Sequence, residues 1–468
     1  MSSVDTTLGE ILSSRFKKPY GERFGPSKSH HLSNTYSKIS WKSAAALVIA
    51  SMIGTGVFTS LGFQLAEVQN TWSVLLLWTL GGAMALIGAF VYAELGTHFR
   101  KTGGDYIFLS ETIHPSVGYS YAWVSLTVGF SAPIAIAAMA MNGYLSPISG
   151  GSRLPGLFFL ILVPIAHVFS VRRSANVQNI LTFVKILFVL ILIGLGLAFQ
   201  TTVEVPAFDF SSSWQHEVIA PGFAVSLIYV FYAYTGWNSA AYIIEEVDQP
   251  EKNLPKALIW ATVSVMVMYI LLQLVLLKHA TVGQLAGKVE VADIAFGNLF
   301  GPAGALWVSL FIGVQLIATI SGYAWVGPRI TYAMARDFKL WKPLARVNSH
   351  GVPVRAIILN TVLSLVIFLS GSFEQIMLYA GFVLQLMGTI TVYSSLRIKK
   401  ESGFKSPLKP WIQYIYLIFS TGVMSYLFWD RPWESLAGLG IVGLGLLIFL
   451  FDEKTENLTE DGRQRTEV

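Results

Sequence analysis

The chain has 468 residues, of which 53% are hydrophobic and only 13% are charged, and its mean hydropathy is +0.58. Soluble proteins contain about 25% charged residues, so this composition excludes a soluble enzyme, a nucleic-acid-binding module and a disordered protein. In a membrane protein, the informative property is how the net charge of +5 is distributed among the loops on the two sides of the membrane. Cysteine is absent, which excludes disulfides, thiolate nucleophiles and cysteine-ligated metals.

Residues 1–38 are polar and precede the first apolar segment. No apolar core of signal-peptide length with a small-residue cleavage site follows them, so the first span should stay in the mature protein. We expect this segment to be a disordered cytoplasmic tail. The short acidic segment 453–468 predicts a second cytoplasmic tail of the same kind.

Apolar runs of about 20 residues, long enough to cross a hydrocarbon core of about 30 Å, recur from Ile39 to Phe451. They predict an all-α integral membrane protein with twelve transmembrane helices. The predicted spans are 40–66, 72–97, 116–142, 155–171, 177–199, 217–245, 257–277, 303–333, 355–371, 376–396, 411–429 and 434–452. Residues 281–302 are too polar to cross lipid and should form an external loop with a short helix.

Positive residues lie mostly on one side of this arrangement. With the N-terminus inside, 26 of the 32 lysines and arginines lie on the inner side, where Lys42 and Arg355 at the inner ends of their spans are included. Four lie in outer segments, and Lys185 and Arg329 lie deeper within spans. This asymmetry follows the positive-inside rule. It predicts a multi-pass protein with both termini in the cytoplasm, in a plasma membrane or a bacterial inner membrane.

Lys185 lies about two turns into span five, with apolar residues on both sides. A charge at mid-helix costs about 2.5–3.5 kcal/mol on insertion scales. The lysine either snorkels to the inner face or stands inside the helix bundle as a fixed cation, and the second interpretation is favoured.

Two spans carry glycine-rich polar interruptions near mid-depth, at 53–56 in span one and at 232–238 in span six. Unwound backbone is tolerated in a membrane only where it lines a cavity or is covered by protein. Interruptions in corresponding spans indicate an inverted-repeat transporter with a site at the midplane, although small residues in span one also suit helix packing.

A half-helix that begins after Gly54 would point free N–H groups at a carboxylate, and unwound carbonyls suit an ammonium group. Together they suit a free amino acid.

Five segments, in order, resemble motifs of the amino acid–polyamine–organocation superfamily, and within it most resemble the L-type amino acid transporter branch. They are IGTGVF (Ile53 to Phe58), VYAELGTHFRKTGGDYIFL (Val91 to Leu109), RRSANVQNILTFVK (Arg172 to Lys185), FYAYTGWNSAAYIIEEVDQPEKNLPKAL (Phe231 to Leu258) and PRITYAMARD (Pro328 to Asp337). The resemblance implies a five-plus-five inverted-repeat core at 39–398 with discontinuous helices one and six, and two peripheral spans at 410–452. It also implies alternating access around a central site.

The resemblance assigns roles to the residues of both interruptions. Gly54, Thr55 and Gly56 would bind the substrate carboxylate through backbone N–H groups, and the carbonyls of Ile53 and Ala233 would bind the amine. The second interruption further contributes Tyr232 as an aromatic gate, where related transporters often have phenylalanine or tryptophan, the adjoining Thr235 and Gly236, and Asn238 as a polar residue near the site.

Lys185 aligns with a lysine of sodium-independent members of the family. Its ammonium resembles a built-in replacement for a bound sodium ion and would bridge span one to span eight, where Thr319 and Ser321 are the expected oxygen donors. No cofactor and no metal are expected.

The substrate is predicted to be a neutral L-amino acid, apolar or small, because no acidic residue lies at mid-depth in spans one, three, six, eight or ten. The predicted function is sodium-independent secondary transport, with exchange, proton symport and facilitated diffusion left open. An amino-acid sensor on a transporter fold, or a transporter of cationic amino acids or amines, remains the alternative. An enzyme is not predicted, because the sequence has no HExxH spacing and no phosphate loop.

The expected partners are the amino acid and the lipid bilayer, with no nucleic acid. Animal members of the family often use a glycoprotein subunit, but a chain without cysteine cannot form the disulfide-linked version of that contact. A homo-oligomer is left open.

Overall fold

The computed structural model describes residues 38–168, 171–204, 207–349, 351–398 and 403–464. This part of the chain is helical, with one isolated bridge between Ile39 and Val247. The predicted tail residues 1–37 and 465–468 lie outside the described residues. The longer α-helices, numbered α1 to α15, are Trp41–Met52, Gly56–Gln64, Thr71–Phe99, Asp105–Thr112, Pro115–Val124, Ser131–Tyr144, Leu154–His167, Val171–Ala198, Pro221–Tyr234, Pro250–Lys278, Val291–Asp337, Val354–Ser370, Phe373–Ser395, Trp411–Asp430 and Pro432–Gln464.

Eight helical segments of the described chain are long and apolar enough to cross a membrane. They are Trp41–Gln64, Thr71–Phe99, Pro115–Tyr144, Pro250–Lys278, Val291–Asp337, Phe373–Ser395, Trp411–Asp430 and Pro432–Asp452. Three shorter apolar helices, Leu154–His167, Thr182–Ala198 and Val354–Ser370, fall in predicted spans four, five and nine. The all-helical fold is thus confirmed, while the number twelve and the inverted repeat stay predictions.

Polar residues placed just before the helices explain where several of them begin. The Asn70 side chain accepts a hydrogen bond from the Trp72 N–H at 2.9 Å at the start of α3. Ser372 and Gln375 form a reciprocal capping box at the start of α13. Such side chains satisfy N–H groups that the first turn of a helix leaves unbonded.

Two helices extend beyond their predicted bounds. Helix α11 begins at Val291 and continues past a kink at Gly301, so the expected external loop at 281–302 is shorter than predicted. The short helix in that loop is Val282–Leu285. The kink is possible because Gly301 has a φ of +73°, which glycine adopts without strain. Helix α15 continues to Gln464, into the segment predicted to be a tail.

The last two candidate spans are the least buried. Within the apolar windows of α14 and α15, 33% and 22% of the residues are buried, against 50–78% in the other six candidates. Large side chains such as Ile418 (75% exposed) and Trp429 (86% exposed) point away from the protein. Apolar surface of this extent is suited to contact with lipid.

A buried ion pair fastens the connection between α13 and α14 to the end of α3. Lys409 Nζ lies 2.5 Å from Glu94 Oε1, and these side chains are only 10% and 4% exposed. The second carboxylate oxygen of Glu94 accepts a hydrogen bond from the Ser406 N–H at 3.3 Å. Nearby, Thr97 Oγ1 accepts one from the Phe404 N–H at 2.9 Å. Segment 403–409 is therefore docked on α3.

We expect Lys409→Met to destabilise the protein by about 3–5 kcal/mol, because it leaves the Glu94 carboxylate buried without its counter-ion. The thermal unfolding midpoint of the purified protein in detergent measures this effect. Lys101→Met is the matched control, since Lys101 and Glu111 form a pair that is 58% and 31% exposed, and exposed pairs contribute little. Equal shifts for the two variants would contradict the assignment.

Candidate functional site

Two helices are interrupted at the positions that the sequence indicates. The first broken helix consists of α1 and α2, which are separated by residues 53–55. The second consists of α9 and the 3₁₀-helix Ser239–Glu246, separated by residues 235–238. At each interruption the backbone stops making the hydrogen bonds of a regular helix and its polar groups become available to other partners.

The two interruptions touch each other through glycine. A Cβ added to Gly56 would lie 2.6 Å from the Cα of Ala233, and one added to Gly236 would lie 2.6 Å from the carbonyl oxygen of Ser51. Gly236 also has a φ of +102°, which residues with a side chain rarely adopt. Only glycine fits at these two positions, because each packs directly on backbone of the other broken helix.

A small cavity lies between the two interruptions. Six of the predicted substrate-binding residues line it: Gly54, Thr55, Gly56, Tyr232, Ala233 and Thr235. Met52 and Tyr323 complete the lining. None of these lining residues carries a carboxylate, an amine or a guanidinium group. The cavity wall is therefore made of backbone, hydroxyl groups and aromatic rings.

The other three predicted residues lie beside the cavity. Ile53 is fully buried between the lining residues Met52 and Gly54. Gly236 packs on Ser51, as described above. Asn238 points the other way, and its Nδ2 donates to the Tyr242 hydroxyl at 3.2 Å.

The first interruption presents N–H groups to the cavity. Helix α2 begins at Gly56, and its N-cap residue Thr55 makes no side-chain capping bond. Across the described residues, the N–H groups of Gly54, Thr55 and Gly56 make no hydrogen bond to another backbone group. Free N–H groups and the positive end of a helix dipole attract an anion. This side of the cavity is thus suited to a carboxylate.

A single hydroxyl group joins the carbonyls of both broken helices. The Tyr269 hydroxyl, on α10, lies 2.6 Å from the Met52 carbonyl oxygen and 3.2 Å from that of Ala233. Tyr269 is fully buried. It is not among the residues that the sequence analysis predicts for the site. A lone tyrosine in an apolar span needs a hydrogen-bond partner for its hydroxyl, and this requirement could have identified it. A carbonyl oxygen has two lone pairs, so Ala233 can still accept a bond from a ligand.

Two tyrosines form the aromatic walls. Tyr232, the predicted gate, is 3% exposed, and its gating role stays a prediction. Tyr323 comes from α11, and its ring packs on Phe130 at a centroid distance of 6.2 Å. Phe130 ends the π-helical turn Ser125–Phe130, which connects α5 to α6, and such turns are frequent at functional sites. Sequence reasoning missed Tyr323, although it lies four residues after Thr319 and so on the same face of α11.

Lys185 is 3% exposed, and its Nζ donates to Thr319 Oγ1 at 3.2 Å. The methyl group of Thr319 lies 4.0 Å from the position of a Cβ at Gly54, so Thr319 stands between the lysine and the first interruption. Ser321, the other predicted donor, contacts His167 instead, with 3.0 Å between its Oγ and the His167 Nε2. Within the described residues Lys185 forms no salt bridge. Thr319 Oγ1 is thus a neutral hydrogen-bond acceptor that the structure gives to this buried lysine.

We expect Tyr269→Phe to destabilise the protein by about 1–3 kcal/mol, because two buried carbonyl oxygens lose the single hydroxyl proton that they share. The thermal unfolding midpoint in detergent measures the loss. Tyr234→Phe is the matched control, since the Tyr234 hydroxyl is also buried but donates at 2.9 Å to one carbonyl, that of Trp78 within helix α3. An equal or larger effect of the control would show that Tyr269 has no special role at the interruptions.

The chain matches the family model described as amino acid permease over residues 39–450. The b(0,+)-type amino acid transporter 1 of Mus musculus is 28% identical over 427 residues, which are 87% of this chain and 86% of that protein. The large neutral amino acids transporter small subunit 2 of Mus musculus is 24% identical over 421 residues, 87% of this chain and 79% of that protein. These matches confirm the resemblance seen in the sequence motifs. The chain belongs to the amino acid permease family, whose members are membrane transporters and not enzymes.

Proposed function

We propose that this protein is a sodium-independent carrier of small neutral L-amino acids, which it moves by alternating access through the cavity between the two broken helices. The observation that carries the proposal is the meeting, in one cavity, of free N–H groups from one interruption and a carbonyl from the other. These are the two complements of an α-carboxylate and an α-ammonium group, and no charged side chain lies among the lining residues.

In this proposal the substrate is held mainly by backbone. Its carboxylate lies against the N–H groups of Gly54, Thr55 and Gly56, at the positive end of α2. Its ammonium group faces the carbonyls of Ile53 and Ala233. Because every amino acid has the same two groups, these contacts set the orientation of the substrate and leave its identity to the remaining walls.

The walls favour a short, uncharged side chain. Tyr232 and Tyr323 bring two phenol rings to the cavity, and a carboxylate or guanidinium group would meet no counter-charge among the lining residues. An unpaired charge in such a place is costly. The name of one relative, a transporter of large neutral amino acids, supports a neutral substrate. In this protein, the rings of Tyr232 and Tyr323 favour a substrate with a smaller side chain.

The proposed architecture is the predicted one: twelve spans with a five-plus-five inverted repeat and both termini in the cytoplasm of a plasma membrane or a bacterial inner membrane. The paired interruptions in α1–α2 and after α9 support the repeat, since inverted repeats place their broken helices in corresponding spans. The bias of lysine and arginine toward one side of the membrane supports the orientation.

Uptake of labelled L-amino acids into proteoliposomes tests the function directly. Alanine, serine, leucine, arginine and glutamate are each offered to vesicles that are empty, loaded with unlabelled amino acid, or held under an inward proton gradient, all in sodium-free buffer. We expect uptake of alanine or serine and none of arginine or glutamate. Gly56→Val, whose side chain would collide with Ala233, is the inactive control.

The three vesicle conditions separate the modes of transport. Uptake that requires internal amino acid identifies an exchanger, and uptake driven by the proton gradient alone identifies a symporter. Uptake that needs neither indicates facilitated diffusion. Binding without uptake would replace the carrier by a sensor, and uptake restricted to arginine would overturn the neutral substrate class.

Lys185 is proposed to act as the fixed cation that makes sodium unnecessary. Its contact with Thr319, which in turn lies beside Gly54, supports a link from span five through span eight to the first interruption. We expect Lys185→Ala to lower the initial rate of uptake by about tenfold or more, a change of about 1.4 kcal/mol in transition-state stability. Thr319→Val should act in the same direction, because it removes only the oxygen that faces the lysine.

Lys278→Ala is the control for this prediction. Lys278 also donates to neutral oxygens, the carbonyls of Gly196 and Phe199 at 3.1 and 2.6 Å, but it lies at the end of α10. Full uptake by Lys185→Ala, or an equal loss in Lys278→Ala, would argue against the bridging role.

A further inference from the structure

Asp105 is a fully buried carboxylate outside the cavity. It opens helix α4, directly after the two glycines that follow α3, and lies between the candidate spans Thr71–Phe99 and Pro115–Tyr144. The transport proposal does not use it. A buried carboxylate is costly unless its oxygens are well supplied with donors, so its surroundings require an explanation.

Hydroxyl groups from three other helical segments converge on this carboxylate. Tyr242, from the 3₁₀-helix of the second broken helix, donates to Oδ2 at 2.6 Å. Thr391, from α13, donates to Oδ1 at 2.7 Å, and Tyr92, from α3, donates to the same oxygen. Tyr121, from α5, is hydrogen-bonded to the Tyr242 hydroxyl. We call these five residues the Asp105 cluster.

The cluster surrounds the Asp105 carboxyl group with hydroxyl groups. A charged Asp side chain only accepts hydrogen bonds, and the groups that bond to it in the described chain are hydroxyl donors. Burial raises the pKa of Asp105, whereas the hydrogen bonds from Tyr242, Tyr92 and Thr391 act against that rise. Because hydroxyl groups from several helices bond to this one carboxyl group, the arrangement holds only while these helices stay together.

The cluster is connected to the cavity through the second broken helix. The Tyr242 hydroxyl that donates to Asp105 also accepts the bond from Asn238 Nδ2. Asn238 lies two residues after Gly236, within the interruption itself. Trp237, between them, packs its ring edge-on against Tyr92 at a centroid distance of 4.6 Å. The interruption is thus tied to Asp105 by a polar path and by an aromatic contact.

We propose that Asp105 is a positioning residue that holds the 3₁₀ half of the second broken helix against α3 and α13, and that this half is released when the bonds to Asp105 are lost. The proposal rests on the proposed function in one respect: the release is taken to open the cavity toward the end of the helix bundle where Asp105 lies. In the proposed orientation that end faces the cytoplasm. The structural part of the proposal is testable without any transport.

The absence of cysteine from the chain gives a direct test. Ser239, the first residue of the 3₁₀-helix, has a buried hydroxyl without a hydrogen-bond partner in the described chain, so Ser239→Cys changes little and introduces the single thiol of the protein. Its rate of modification by a water-soluble maleimide is measured on the full-length purified protein in lipid nanodiscs. Adding Asp105→Asn should raise that rate by about fivefold or more, because the released state becomes more populated.

Glu94→Gln in the same Ser239→Cys background is the matched control. Glu94 is an equally buried carboxylate on α3, but its partners are Lys409 and Ser406 in segment 403–409. We expect its labelling rate to stay within about twofold of the parent. An unchanged rate in Asp105→Asn, or an equal rise in both variants, would overturn the proposal, since the second outcome indicates general loosening.

A double variant tests whether Asp105 acts through Tyr242. If it does, Asp105→Asn with Tyr242→Phe should label no faster than Asp105→Asn alone, because both changes remove the same link. Rates that multiply would show two independent effects and contradict the assignment. Should Asp105→Asn fail to fold, Thr391→Val removes one donor and should give a smaller rise, and no rise there would also overturn the proposal.

Uptake assays on the same variants separate this inference from the proposed function. A labelling rate that rises in a protein that transports no amino acid would leave the positioning role standing and remove the carrier. Normal transport with an unchanged labelling rate in Asp105→Asn would leave the carrier function standing and remove the positioning role of Asp105.

Discussion

The structure depends on finding partners for the backbone N–H and C=O groups that lose their helical hydrogen bonds where two membrane helices are interrupted. Each interruption frees backbone polar groups inside an apolar helix bundle, where unsatisfied groups are costly. Tyr269 answers this constraint for both interruptions with one hydroxyl, placed between a carbonyl of the first broken helix and a carbonyl of the second. The two interruptions are therefore a single unit, and the N–H groups left over are those that face the cavity.

The same unit explains why the cavity is small and polar. Gly56 and Gly236 allow the two backbones to approach until they touch, and the remaining space is closed by Tyr232 and by Tyr323 from α11. In the proposed function, a site made mostly of backbone binds the groups that all amino acids share, and selection among them is left to a few side chains on the facing helices.

The sequence predicted the interruptions and most of the cavity lining, because both depend on local features: glycine beside polar residues in the middle of an apolar span. It did not predict the contacts of Tyr269, Tyr323 and Asp105. Each of these contacts joins segments that are far apart in the chain, and periodicity carries no information on which helices become neighbours. Ser321 illustrates the same limit, since its position on α11 was apparent but its contact with His167 depends on how α7 packs.

The ion pair between Glu94 and Lys409 has a consequence for the boundaries of the protein. Helices α14 and α15 lie at the periphery, and a core of residues 39–398 looks separable on the sequence alone. Truncation at residue 398 would nevertheless remove Lys409 and Ser406 while keeping Glu94 in its buried position on α3. The peripheral pair is thus not a detachable module. A chain truncated at residue 398 would need a neutral residue in place of Glu94 before it could be expected to fold.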